Sequence, residues 1–129
     1  MATLSLGLLL AGPLSAQEMT PEAFEAFSEG RTLYFTLNGA PFGAEQYFDD
    51  RRSLWRFADG PCQAGRWWEE GERICFDYGE DGPSCWRFHE RPGGFAAALV
   101  EDGAETGFVL ELSHSDDAPL PCPAPDVGM

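Results

Sequence analysis

Two histidines, His89 and His114, are the side chains whose ordinary titration lies near neutral pH. His114 stands in the run Ser113-His114-Ser115-Asp116, which contains the residue types of a nucleophilic triad. Triads are made by convergence in space rather than by adjacency, so the run reads as a polar strand end leading into a solvated tail. Carboxylates gather at Glu69, Glu70 and Glu72, and again at Glu101, Asp102 and Glu105. Such groups could do acid–base work or hold calcium, but no EF-hand or similar ligand spacing is present. With 22 acidic residues in the chain, clusters of this kind arise by chance. No catalytic residue, metal or cofactor is expected, and the chain is not read as an enzyme.

Four cysteines, at 62, 75, 85 and 122, are an even number in a short chain, the pattern of two disulfides. No two of them are separated by only two to four residues, which argues against zinc. Aromatic side chains are the other distinctive set. Tyr34, Tyr47, Trp55, Trp67, Trp68, Phe76, Tyr78, Trp86 and Phe88 cannot all face one small core. Most belong to the core, and the remainder must line a cavity or form an exposed patch. Trp55, Trp67, Trp68 and Trp86, with Arg56 as a cation beside them, are the candidate ligand or partner residues, because Trp and Arg dominate binding hot spots. Arg stacked on Trp for purely structural reasons is the competing explanation.

The elements that position these residues emerge from the pattern of the chain. Its 129 residues suit one domain, and 43% hydrophobic and 13% aromatic content can fill a core. All eight basic residues are Arg, and the formal net charge is −14. That excess repels phosphate backbones and anionic lipid, so nucleic acid and membrane surfaces are poor partners, whereas a basic protein or a cation is a better one. Residues 1–16 read as a signal peptide, with an apolar run from Leu4 to Ala11, a turn at Gly12-Pro13 and small residues to Ala16. The run is too short for a transmembrane segment. Cleavage near Ala16-Gln17 is expected, giving a periplasmic or secreted protein.

Thr20-Pro21-Glu22 is an N-cap, a first-turn proline and an acidic first turn, and Gly30 is a stop, which predicts a helix over 21–29. Phe24 and Phe27 share a face, so this helix should lie across an end or face of the remaining domain. From Arg31 the period becomes two. Strands are predicted at 33–37, 44–48, 54–57, 66–70, 74–78, 85–89, 95–100 and 108–112, separated by turn signals such as Asn38-Gly39, Asp59-Gly60-Pro61, Glu80-Asp81-Gly82 and Asp102-Gly103. Of the adjacent indoles Trp67 and Trp68, one should enter the core and the other face outward. The result is an all-β antiparallel meander of about eight strands forming a small closed or nearly closed barrel over 17–113. A Pro-rich tail occupies 114–129.

Three disulfide pairings are possible for four cysteines. If Glu80-Asp81-Gly82 is the loop, Cys75 and Cys85 project from one face of a hairpin and pair, leaving Cys62 in a loop to hold Cys122 in the tail. Pairing of 62 with 75 and 85 with 122 remains open. The loop-entropy model gives the hairpin bridge about 3 kcal/mol and the long bridge about 4.

The run Gly30-Arg31-Thr32-Leu33, with Gly65-Arg66-Trp67, Ile74-Cys75-Phe76 and Cys85-Trp86, resembles an uncharacterised family of small exported proteobacterial proteins carrying a domain of unknown function. The likeness covers about residues 20–90. It implies that Cys75 and Cys85 pair and that Cys62 and Cys122 are an addition. A G-x-W strand in a disulfide-bonded meander also looks like the lipocalin-like barrels, among them bacterial periplasmic protease inhibitors. Architectural likeness does not establish function.

The expected function is therefore a non-enzymatic binding protein outside the cytoplasm, monomeric, with a basic extracytoplasmic protein as partner, such as an enzyme that it inhibits. The alternative is a carrier of a small apolar ligand, which requires a hollow barrel of roughly 300 Å³ or more.

Overall fold

A computed structural model describes residues 17–79 and 81–122, together with Thr3. The leader assigned to residues 1–16 thus lies, apart from Thr3, outside the described residues, as do Glu80 and the tail beyond Cys122. One helix, α1 (Pro21–Ser28), precedes eight strands: β1 (Thr32–Leu37), β2 (Ala40–Tyr47), β3 (Arg52–Phe57), β4 (Cys62–Glu70), β5 (Arg73–Asp77), β6 (Ser84–Arg91), β7 (Gly94–Glu101) and β8 (Ala104–Asp116). Each strand pairs antiparallel with the next, and β8 returns to β1, which closes the barrel. This is the all-β meander that the alternation dictates. Among the described residues no helix is long and apolar enough to cross a membrane.

Several strand boundaries differ from the sequence reading, and three of them bear on the site and the disulfides. β2 begins at Ala40 because Phe42 is accommodated as a bulge, with Phe35 opposite Gly43 and Thr36 opposite Pro41. Cys62 is the first residue of β4, opposite Arg56, not a loop residue. β8 runs to Asp116, so His114 pairs with Tyr34 and the tail starts three residues later than expected. A polar strand that closes a barrel keeps its ladder whether or not its side chains alternate cleanly, and here Ser113 Oγ also donates to the Tyr34 carbonyl at 3.0 Å. The turn chemistry is as read: Asn38-Gly39 and Asp102-Gly103 each carry two positive φ values, as a two-residue hairpin matched to strand twist needs.

The helix closes one end of the barrel. Thr20 Oγ1 accepts from the Ala23 N–H at 3.1 Å, Pro21 opens the first turn, and Glu29 caps the other end. Phe24 is fully buried and meets Tyr47, Trp67, Phe76, Phe88 and Phe95 edge to face, at centroid distances of 4.5 to 6.4 Å. Burying such a ring contributes about 2–3 kcal/mol, with a further increment for the aromatic geometry. Arg51 ties the helix to the wall: its guanidinium bonds Glu25 at 3.1 Å and Glu69 at 3.3 Å and lies 4.7 Å from the Trp67 ring centroid.

Two segments outside the meander are also fixed. β5 and β6 share register pairs only from Ile74 opposite Trp86 to Phe76 opposite Ser84. Further along β6, the Met19 N–H donates to the Phe88 carbonyl and the Glu90 N–H to the Gln17 carbonyl, both at 2.7 Å. The tail crosses β1 to β4 in order. Thr32 Oγ1 donates to the Ala118 carbonyl at 2.6 Å, the Leu120 N–H to Gln46 Oε1 at 2.9 Å, Arg56 to the Pro121 carbonyl at 2.6 Å, and Cys62 binds Cys122. The second bridge joins Cys75 to Cys85, direct register partners on β5 and β6. Two disulfides suggest an oxidising, extracytoplasmic environment.

Candidate functional site

The barrel is hollow above the Phe24 plug. A cavity of about 660 Å³ occupies the end away from the helix, with Tyr47, Phe76 and Phe88 on its lining where the plug packs beneath them, and Phe35 beside Trp55. Phe42, Trp55, Phe57, Tyr78, Trp86 and Phe108 supply further wall, and the loop at Asp81–Ser84 also borders it. The surplus aromatics thus surround a space rather than forming one outer patch.

One carboxyl group interrupts this wall. Glu45 shares the inward face of β2 with Gly43 and Tyr47 and is 4% exposed. Tyr47 Oη donates to Glu45 Oε1 at 3.0 Å, and Tyr78 Oη donates to Glu45 Oε2. Burial pushes the carboxyl up to about 7, although the hydroxyls of Tyr78 and Tyr47 favour its charged form. Burial likewise holds Tyr47 and Tyr78 well above the usual phenol range, with the Glu45 charge adding to it. Ser53, buried on β3 opposite Tyr47 and Gly65, turns its hydroxyl to the same cluster and also favours the charged carboxyl. Among the described residues no Arg or His forms an ion pair with Glu45.

Two strand glycines make room for the rings around it. A Cβ on Gly65 would lie 2.5 Å from the Tyr78 ring, and one on Gly43 would overlap the Trp55 indole. Both rings therefore lie against bare backbone, beside the carboxyl group that Tyr78 bonds and that Trp55 faces in register. No other residue type permits so close an approach.

The candidate residues read from the sequence go to four places. Trp55 and Trp86 line the cavity, and Trp86 Nε1 donates to Ser84 Oγ at 3.2 Å. Trp67 is core, packed under Phe24 and Arg51, while its neighbour Trp68 faces outward in a shallow groove with Phe48, Leu54 and Ala64. Arg56 is committed to structure: it donates to the carbonyls of Gly60 and Pro121. Glu45, Tyr47 and Tyr78 form the polar site that sequence reasoning passed over as a site. The available signal was parity, since Gly43, Glu45 and Tyr47 fall on one face of a strand whose Tyr47 had to be inward.

The groups that suggested catalysis are separated. His89 Nε2 contacts Glu105 at 2.9 Å, and His114 stacks on Tyr34 at 4.3 Å between ring centroids. Ser113 Oγ lies 3.0 Å from His114 Nδ1 and also bonds the Tyr34 carbonyl at 3.0 Å. Glu70 reaches the sulfurs of Cys75 and Cys85, which the disulfide removes as metal ligands.

Compared with protein-family models, curated proteins and solved structures, the chain shows no significant match. The class is defined by the fold itself: an eight-stranded, antiparallel, closed β-barrel compatible with lipocalin-like architecture.

Proposed function

We propose that this protein is a non-enzymatic binding protein, periplasmic or secreted, that takes a small, largely apolar ligand into the barrel interior. The observation that carries this reading is the cavity of about 660 Å³ walled by aromatic side chains, within the range of roughly 300–1,000 Å³ typical of small-molecule sites. A space of that size and polarity would ordinarily be closed by core packing, because each lost contact costs stability. Closure by α1 at one end and access near Asp81–Ser84 and Phe57 at the other suit a carrier. Residues 17–19 and 117–122, which an inhibitor could have used as projecting arms, are bonded to the barrel.

Titration with N-phenyl-1-naphthylamine, a neutral probe that fluoresces in apolar surroundings, tests the reading. Saturable binding at one site per chain, lost when Leu99→Trp fills the cavity, is the expected result. Undiminished binding to that variant, or no saturable binding, removes it.

A protein partner is the second reading, and the outward groove favours it. Phe48 is 37% exposed there beside Trp68 and Leu54, a pairing of aromatic and aliphatic surface that suits a contact patch.

A further inference from the structure

We propose that the cavity selects ligands that carry a protonated or quaternary amine on an apolar body, and that Glu45 is the residue that receives the cationic head. The proposal rests on the ligand-binding reading above and adds the chemistry of the ligand.

A carrier for neutral apolar molecules has no use for an ionisable group in its wall, since burying one without a partner is costly. Glu45 is buried, lies on the cavity lining and lacks a basic partner among the described residues. Two tyrosine hydroxyls hold its orientation, one on each carboxyl oxygen. A carboxylate offers about four acceptor sites, so even with the Ser53 hydroxyl turned to it one remains for a ligand N–H.

The surroundings suit a cation in a second, independent way. Trp55, Phe76 and Tyr78 are on the same lining, and the rings of Phe76 and Tyr78 are within 4° of parallel at 6.4 Å. Aromatic faces attract ammonium groups, more strongly where water is excluded. The remaining charged groups on the lining are Arg73, Asp81 and Glu101, which with Glu45 makes three acids against one base. A chain of net charge −14 also draws cations and repels anions at long range.

Other ligand heads fit less well. A carboxylate or phosphate would meet Glu45 charge to charge. An alcohol could bond to Glu45 but would gain nothing from the rings as a cation does.

Displacement of N-phenyl-1-naphthylamine by three molecules of one skeleton, 4-phenylbutylamine, 4-phenylbutanol and 4-phenylbutyrate, separates these cases. At pH 8 the amine should bind at least tenfold tighter than the alcohol, with the butyrate weakest. In Glu45→Gln the ratio of amine to alcohol affinity should fall to near one. Glutamine preserves size and adds no charge, so the variant should fold, and a denaturation curve checks that it does. A second readout does not need the variant. Between pH 5.5 and 8 a primary alkylamine stays protonated, while Glu45, near 7, ionises. The groups facing Glu45 are the hydroxyls of Tyr47, Tyr78 and Ser53 and the uncharged Trp55 and Leu33. Amine affinity should thus climb several-fold over that range while alcohol affinity stays flat. Equal affinity for amine and alcohol in the wild type, or a flat amine profile, overturns the inference and leaves the cavity reading standing. Failure of the probe and all three molecules to bind overturns both.

Discussion

Tyr78 bonds Glu45 through its hydroxyl while its ring rests on the bare Cα of Gly65, so one side chain just past the end of β5 links a buried carboxyl on β2 to the close approach of β4. The link makes a local prediction. In Gly65→Ala the new methyl group and the Tyr78 ring cannot coexist as they stand, and overpacking of this kind costs about 1–3 kcal/mol. The variant should lose that much in urea denaturation, and binding of the neutral probe should weaken with it. Gly65→Ala with Tyr78→Ala restores space, and its stability loss should be smaller than the sum of the two single losses.

Glu45 predicts a pH dependence of stability. Its folded value, about 7, lies above the ordinary 4.5, so the native state holds the proton more tightly than the unfolded chain. Wild type should lose about 3 kcal/mol relative to Glu45→Gln as pH rises from 4.5 through 7, and no more beyond. Urea midpoints of both proteins at pH 5, 6, 7 and 8 measure this. Curves that stay parallel across the series contradict the burial of an ionisable Glu45.

The Phe24 plug should be worth more than any other side chain of α1. Phe24→Ala opens a void among five rings, and large-to-small changes of this type cost about 3–5 kcal/mol. Loss of the same order in Phe27→Ala, whose ring meets Phe95 at 5.7 Å but is only partly buried, would show that the helix is not plugging the barrel through Phe24.

The two disulfides should separate by experiment. Replacing Cys62 and Cys122 with Ser removes a closure of 60 residues, about 4 kcal/mol on the loop-entropy model, while replacing Cys75 and Cys85 removes one of 10, about 3. Hydrogen exchange distinguishes them further. The first pair of changes should expose the Leu120 amide, which Gln46 accepts, and leave β5 and β6 protected.

Much of this architecture was legible in the chain. Leu33 and Phe35, Ile74 and Phe76, and Trp86 and Phe88 alternate cleanly because one face of each strand is buried, and the Asn-Gly and Asp-Gly pairs mark turns by their tolerance of positive φ. The same parity puts Cys75 and Cys85 on one face of a hairpin, and the register makes them direct partners. What it could not reveal is whether the inward rings meet. That depends on ring orientations and on Gly43 and Gly65, whose role comes from partners that lie one strand away or at the end of the next. Glu45 was hidden for a different reason, as one acid among 22 in a chain that displays most of them to solvent. The end of β8 was missed because His114 and Asp116 read as tail, although their backbone groups belong to the seam with β1.

The proposed ligand enters the barrel and does not lie on its outside. Mapping amide chemical-shift changes on addition of N-phenyl-1-naphthylamine tests it most directly. Shifts should concentrate at Phe35, Glu45, Ala97, Leu99 and Leu110, which line the cavity from β1, β2, β7 and β8. Shifts confined to Phe48, Leu54, Ala64 and Trp68, in the outer groove, would rule out the interior site and move the binding surface to the exterior of β3 and β4.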